Sequence, residues 1–258
     1  MDPSAATVLK LAERYLKGLL PAAVLENIDL YLKRATVVLE KPGRPRDWLD
    51  SVAMVPKALP LLPPTQRPEV ANVIFQAIKN NHQLHVQSYT RNSPDTPKDY
   101  IINPLGIVLR DSSTYLVWTA VGDAEERLKE FVLHRIGAAE ELDTIRDVPV
   151  GFDLAKFIYE QQGFGYLVQG EPENIQLVLE VEPILRFTLS ETPLAADQVI
   201  EPINDGRYRV SATVKNTHQL RAWIMEKSPQ LRVVAPTSLQ QAIVELIKQA
   251  LQQYQSVA

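Results

Sequence analysis

The sequence predicts an α+β protein in which helices come first, a β-rich segment follows and a mixed segment ends the chain. Apolar residues recur at helical spacing over the first 40 residues, and near His82 the spacing changes to every second residue. The last third alternates strand-like with helix-like segments. The chain has 258 residues, 45% of them hydrophobic, which is enough for one large domain or two ordinary ones with real cores.

Two amphipathic helices are predicted first, over residues 5–19 and 22–40, as a helical hairpin with a polar outer surface. Seven prolines follow between residues 41 and 68. Proline removes a backbone donor and restricts the residue before it, so this stretch is predicted to be an extended connector. A short helix over 68–80 then begins with Pro68, a favourable first helical residue.

Three strands are predicted in the β-rich segment from LHVQSY, YIINPLGIVL and STYLVWTAV, with a turn at Asp111-Ser112. The next stretch, residues 126–145, is ambiguous. Its Glu, Leu, Lys and Ala content favours a helix. If it were a strand, side-chain alternation would place Lys129 and Arg135 on one face.

The last third follows a link over about 146–174. It reads strand, helix, strand, turn, strand, helix, strand, with a helix over 237–254 at the end. The turn is Asn204-Asp205-Gly206, where glycine can supply a positive φ. This β-α-β-β-α-β order predicts a ferredoxin-like sandwich.

Composition excludes several classes of protein. The net charge is −4 and no third of the chain is strongly basic, so the chain lacks the charge of a module that coats nucleic acid. There is no cysteine, which excludes disulfides, thiolate metal sites and cysteine nucleophiles and fits a reducing cytoplasm. The sequence has no apolar run long enough to cross a bilayer and no signal peptide, so no membrane partner is predicted.

The residues give no support to catalysis. The four histidines lack metal-ligand spacing, no Gly-x-Ser-x-Gly elbow occurs, and the glycines of 163–174 do not form a dinucleotide fingerprint. We therefore predict no catalytic residue, no metal site and no cofactor, and an enzyme is the least favoured class.

The motifs YIINPLG, STYLVWTA and FVLHRI, in this order, resemble the WYL domain, a small SH3-like barrel of bacterial transcriptional regulators. The name-giving positions hold Thr114-Tyr115-Leu116, with Trp118 two residues further on, and the terminal Arg-Ile is Arg135-Ile136. Residues 205–254 resemble the C-terminal extension, WCX, that usually follows this domain. LAERYLKGLLP and DWLDSVAMVPKALPLLPP resemble the helical linker before it.

This resemblance implies an α+β architecture of three parts: a helical linker at 1–68, an SH3-like (Sm-like) barrel at 69–148, and a ferredoxin-like extension at 149–258. It also overrides the helical tendency of 126–145, which should form two strands that close the barrel.

Five residues form the candidate ligand site. Arginine offers phosphate a planar fork and tyrosine offers a base a stacking surface. The resemblance implies that Arg135 and Lys129 line a pocket, and the tyrosines and a further arginine lie on or beside the first two strands: Tyr89, Arg91 and Tyr100. The alternative is that Arg135 pairs with Glu140 or Glu141 and that the tyrosines cap the barrel.

The function expected from this resemblance is that of a ligand-sensing and dimerisation region of a regulator. The barrel would bind a nucleotide or single-stranded nucleic acid, and the extension would form a homodimer. Promoter DNA would be bound only through a winged helix-turn-helix that is absent from this chain and that we expect upstream of it. The alternative is a stand-alone accessory protein that binds nucleic acid or a protein partner.

Overall fold

The computed structural model of the protein describes residues 1–16, 22–40, 51–53, 61–90 and 93–255, apart from the side chains of residues 16 and 22–27. The chain divides into two compact units, Met1–Leu154 and Ala155–Ala258. Each contains an antiparallel sheet and its own buried apolar core, which confirms the α+β class. Within the described ranges, no helix has both the length and the apolar character of a membrane span.

The first unit begins with the predicted helices. Their bounds are Pro3–Leu16 (α1), Ala22–Leu39 (α2) and Pro68–Asn80 (α3). The Asp2 carboxylate accepts a hydrogen bond from the Ser4 backbone N–H and so caps α1. Residues 51–53 and 61–67 of the predicted connector are not helical, and its other residues lie outside the described part of the chain.

Helix α3 packs on the sheet of the first unit. Arg67 precedes it in extended conformation, Pro68 starts it, and Asn81 ends it in the left-handed region at a φ of 60°. One face of α3 is buried against apolar residues of the strands, and together they form the core of this unit: Val70, Ala71, Ile74, Ala77, Leu84, Val86, Ile102, Leu116, Trp118, Leu133 and Ile136.

Five antiparallel strands form this sheet, in the order β4-β3-β2-β1-β5. Their bounds are His82–Thr90 (β1), Ser93–Arg110 (β2), Ser113–Ala120 (β3), Lys129–Val132 (β4) and Ile136–Ile145 (β5). Strand β2 starts earlier than predicted, because its pairing with β1 extends to Thr90 opposite Ser93. The turn between β2 and β3 contains Asp111 at a φ of 52°.

The ambiguous stretch 126–145 contains two strands, as the resemblance implied, and not a helix. A 3-10 turn over Leu133–Arg135 joins β4 to β5, which lie at opposite edges of the sheet. Three residues of 3-10 helix advance the chain by only about 6 Å, so the two edges must approach each other here.

The expectation that Lys129 and Arg135 share one face of a single strand is wrong. Strand β4 ends at Val132, and Arg135 is the last residue of the 3-10 turn. The physical reason is the closure of the sheet. Strand β4 pairs with β3 and strand β5 pairs with β1 at the other edge of the sheet. The chain must cross between these two edges, so it cannot stay extended through residue 135.

The second unit contains four strands and four helices within its described residues. The strands are Asn174–Val181 (β6), Val199–Pro202 (β7), Tyr208–Lys215 (β8) and Leu231–Ala235 (β9). The helices are Leu154–Tyr159 (α4, whose first residue belongs to the first unit), Pro183–Glu191 (α5), His218–Lys227 (α6) and Thr237–Gln255 (α7).

The sheet of this unit has the order β7-β8-β6-β9 and is antiparallel throughout. The predicted hairpin turn is present between β7 and β8, and both Asp205 and Gly206 have positive φ, at 74° and 72°. Leu177, Leu179 and Val181 of β6 face the helices and are fully buried. Glu180, between them, faces the opposite side of the sheet.

Candidate ligand-binding site

The structure places four of the five predicted site residues in the five-stranded sheet and its closing turn. Tyr89 lies near the end of β1, Tyr100 lies in β2, Lys129 begins β4 and Arg135 ends the 3-10 turn. Arg91 lies outside the described residues. The contacts of the four described residues fall into two groups.

The first group is an aromatic cluster around Lys129. The rings of Trp118 and Phe131 stack with centroids 4.3 Å apart, and the Tyr100 ring lies 5.1 Å from Phe131 and 5.8 Å from Trp118. The Lys129 Nζ is 5.3 Å from the centroid of Trp118, close enough for a cation–π contact. Trp118 is only 3% exposed, so this cluster is mainly a packed part of the core.

The ammonium group of Lys129 is also engaged by a carboxylate. Its Nζ lies 3.5 Å from Asp123 Oδ2, and Arg127 Nε lies 3.3 Å from the same oxygen. Partial burial raises the pKa of Asp123, but hydrogen bonds from Arg127 and the Glu125 backbone and the charges of both cations together lower it. Asp123 is therefore ionised at neutral pH, and it offsets much of the charge that Lys129 could offer a ligand.

The second group surrounds Arg135. Strands β1 and β5 pair Ser88 with Ile136, which places Tyr89 beside the closing turn. A Cβ atom on Gly137 would lie 2.8 Å from Tyr89 Cε2, so the ring rests directly on the backbone of Gly137. An aromatic ring and a guanidinium-bearing turn therefore lie next to each other at the point where the sheet closes.

Arg135 makes no hydrogen bond or ion pair with the residues that the structure describes. The predicted alternative partners are engaged elsewhere. Glu141 Oε1 lies 2.8 Å from His82 Nδ1, and Glu140 Oε2 lies 3.9 Å from His85 Nδ1. None of the five N–H donors of Arg135 is used by a residue in the described part of the chain.

The end of the connector reaches the same turn, which the sequence did not predict. Arg67 Nη1 donates to the Ile136 carbonyl at 3.2 Å, and Gln66 Nε2 donates to Thr114 Oγ1 at 2.8 Å. These partners are separated by 69 and 48 positions in the chain, so no local pattern could indicate them. Arg67 is exposed and adds a second guanidinium near the turn.

His134 does not add a charge to this turn at neutral pH. Burial lowers the pKa of its imidazole, and the nearby charge of Arg135 lowers it further. Its Nδ1 is buried and has no hydrogen-bond partner among the described residues. The positive charge at the turn therefore comes from Arg135 and from the adjacent Arg67.

The sequence of the first unit matches a known domain, and so does that of the second. The profile of the WYL domain matches residues 69–141, and the profile of the WCX domain matches residues 173–251. The chain carries a WYL domain followed by a WCX domain. The closing turn, Tyr89 and the aromatic cluster lie in the WYL domain, and Arg67 lies just before it.

Solved structures give distant likenesses. Proteasome accessory factor B/C (PafBC) of Arthrobacter aurescens is 17% identical, with a TM-score of 0.34 over 95% of this chain and 33% of its own. A CRISPR Cas-related protein is 13% identical, with a TM-score of 0.46 over 74% of this chain and 52% of its own. The chain thus spans a third and about half of these two structures. Both TM-scores are below 0.5, so neither likeness bears on fold or function. No curated protein matches the chain significantly.

The WCX domain contains an arginine-lined cleft of about 330 Å³ next to the Asn204-Asp205-Gly206 turn. Arg209 and Arg232 flank Glu180, whose pKa is lowered first by the hydrogen bond from Arg232 despite burial. Arg207 lies 3.7 Å from Glu182. Carboxylates balance these arginines, whereas Arg135 has no such partner among the described residues, so the turn of the WYL domain is the better candidate for an anion.

Among the described residues, no three acidic or histidine side chains are arranged to hold a metal ion. His82 and His85 pair with Glu141 and Asp99 in the strands, at 2.8 and 2.9 Å.

Proposed function

We propose that this chain is the ligand-sensing region of a bacterial transcriptional regulator and that its WYL domain binds an anionic ligand, a nucleotide or single-stranded nucleic acid. The presence of a WYL and a WCX domain supports a regulatory, non-enzymatic role. In this proposal the ligand site comprises Arg135, Tyr89 and Arg91, and Tyr100 and Lys129 of the aromatic cluster contribute less.

The observation that carries this proposal is the environment of Arg135. Its guanidinium group has no carboxylate partner in the described structure, although it lies in a chain of net charge −4. Arg135 belongs to the 3-10 turn that lies next to Tyr89, whose ring packs on the backbone of Gly137. A planar cation next to an aromatic ring suits a phosphate joined to a base, because the arginine binds phosphate in two-point fashion and the ring stacks on the base.

The strand order and the short closing turn support an SH3-like (Sm-like) barrel over residues 69–148. The order β7-β8-β6-β9, with helices between its strands, supports a ferredoxin-like sandwich over 149–258. Residues 1–68 form the linker in this proposal.

Regulation follows if the WCX domain forms a homodimer and a winged helix-turn-helix elsewhere in the protein binds promoter DNA. The ligand must then bind one arrangement of the dimer better than the other, because equal affinity for both arrangements shifts nothing. The whole protein acts in the cytoplasm in this proposal.

The test is binding of a fluorescein-labelled single-stranded oligothymidylate, followed by fluorescence polarisation at low salt. Arg135→Ala should weaken binding about tenfold or more, because charge-assisted hydrogen bonds to phosphate are lost. Arg127→Ala is the matched control, since Arg127 is an exposed arginine of the same unit that already pairs with Asp123. Equal affinity of Arg135→Ala and the unmodified chain, with both folded by circular dichroism, would contradict the proposal.

A further inference from the structure

The connector ends in contact with the turn that carries Arg135. Arg67 donates from Nη1 to the Ile136 carbonyl, and Ile136 follows Arg135 directly. Arg67 also stands at the N-cap of α3, where its backbone is extended and its side chain makes no cap hydrogen bond. The side chain therefore does not serve the helix and instead reaches across to the turn.

This single contact leaves Arg67 with spare hydrogen-bonding capacity. A guanidinium has five N–H donors, and the described structure shows one of them used, on a neutral carbonyl. No carboxylate among the described residues pairs with it. Arg67 is exposed and its Nη1 lies 3.2 Å from the carbonyl oxygen of Ile136, so the closing turn brings together two arginines that have no carboxylate partner among the described residues.

Two cationic side chains that start from the same turn can both bind one anion, which would also relieve their mutual repulsion. We propose that Arg67 is a ligand-binding residue and that one anionic group is held between Arg67 of the connector and Arg135 of the barrel turn. This inference rests on the proposed ligand site. It adds that the ligand ties the connector to the barrel.

The described parts of the connector contact both the barrel and α1. Gln66, next to Arg67, is fixed to Thr114 of β3, which is 2% exposed. Within the connector, the Val52 carbonyl accepts hydrogen bonds from Tyr15 at 3.3 Å and Arg14 at 3.4 Å, both of α1. A ligand that holds Arg67 in place therefore stabilises the part of the connector next to the barrel, residues 66–67.

The first test separates ligand contact from mere support of the turn. Arg67→Gln keeps an N–H donor for the Ile136 carbonyl but removes the charge, so a supporting role survives this change and a phosphate contact does not. With labelled oligothymidylate, Arg67→Gln should weaken binding about tenfold and reduce the slope of log affinity against log salt by about 0.7, the value for one phosphate contact on a single strand. An affinity and a salt slope equal to those of the unmodified chain would overturn the proposal.

The second test measures whether ligand binding stabilises the end of the connector next to the barrel. When oligothymidylate is added to the unmodified chain, hydrogen exchange of the peptide that covers residues 61–67 should slow. In the Arg67→Gln variant, exchange of this peptide should not slow, even at an oligothymidylate concentration that saturates the variant. Unchanged exchange in the unmodified chain at saturation would also overturn the proposal.

The Arg135→Ala variant separates failure of the proposed ligand site from failure of the proposed role of Arg67. If it binds as tightly as the unmodified chain, the proposed function fails. If Arg135→Ala weakens binding and Arg67→Gln does not, only the role of Arg67 fails.

Discussion

Arg135 and Lys129 carry the same charge in very different surroundings. Lys129 lies against the Trp118 ring and 3.5 Å from Asp123, whereas Arg135 has no acidic partner in the described structure. A ligand that recruits Lys129 must compete with Asp123, and a ligand that recruits Arg135 need not. Charge alone therefore does not rank the two residues, and their contacts do.

We predict that Lys129→Ala weakens oligothymidylate binding less than Arg135→Ala does, by a few-fold rather than about tenfold. Fluorescence polarisation on both variants in the same buffer measures the difference. A loss at Lys129 equal to or greater than the loss at Arg135 would place the ligand over the aromatic cluster instead of the closing turn.

Glu130, the neighbour of Lys129 in β4, gives the WYL domain a pH-dependent stability. Burial raises the pKa of its carboxyl from 4.5 to about 7, against the smaller lowering effects of a backbone hydrogen bond and of Arg110. The folded chain thus holds this proton more tightly than the unfolded chain. The stability that Glu130 contributes is complete below about pH 4.5 and is lost as the pH rises through about 7.

Glu130→Gln should therefore be more stable than the unmodified chain at pH 8, and this gain should be absent at pH 5. The group is partly exposed, so we expect a gain of about 1 kcal/mol, or about 2–4 °C in melting temperature. Thermal unfolding of both proteins at both pH values measures it, with the exposed Glu201→Gln as control. If the difference in melting temperature between the variant and the unmodified chain were the same at pH 5 and pH 8, Glu130 would not be buried as described.

At the scale of elements, the closing turn determines the site. It joins the two edge strands β4 and β5 and places Arg135 beside Tyr89. The ring of Tyr89 occupies the space where a side chain at position 137 would lie, so the second residue of β5 is a glycine.

We predict that Gly137→Ala displaces the Tyr89 ring and destabilises the domain by about 1–3 kcal/mol, because the added methyl would overpack the contact. In a Tyr89→Ala background the same substitution should cost much less, since the ring is gone. Urea unfolding of the two single variants and the double variant measures this coupling. Equal costs of Gly137→Ala in both backgrounds would show that the ring does not rest on Gly137.

Local patterns predicted the regular elements well and the closing turn not at all. Helix α3 was predicted with its observed bounds, because Pro68 and the spacing of its apolar residues act within the element. The strand–turn–strand character of 126–145 contradicts local propensity, which favours a helix. It arises from pairing with β3 on one side and β1 on the other, and pairing between distant strands leaves little trace in local composition.

The site shows the same limit. The resemblance indicated Arg135 and Lys129, and the residues indicated the tyrosines, but neither could show that Asp123 engages Lys129 or that Arg67 reaches Ile136. The sequence indicates only that Trp118 lies near Leu116. Its stacking on Phe131 depends on the register of β3 with β4, which local patterns do not predict.

At the scale of the whole molecule, two arginine-rich places could receive an anion, one in each unit. At the closing turn of the WYL domain, Arg135 and the adjacent Arg67 of the connector have no acidic partners among the described residues. The cleft of the WCX domain has Arg207, Arg209 and Arg232 offset by Glu180 and Glu182. We therefore assign the ligand to the closing turn, since an anion entering the WCX cleft must displace carboxylates that already pair with the arginines.

The most direct test is a backbone amide NMR titration of the intact chain with unlabelled oligothymidylate. We expect chemical-shift changes concentrated at residues 133–137 and at Tyr89, with little change at the Asn204-Asp205-Gly206 turn. Shifts confined to the WCX cleft, or none at the closing turn at a saturating concentration, would contradict it.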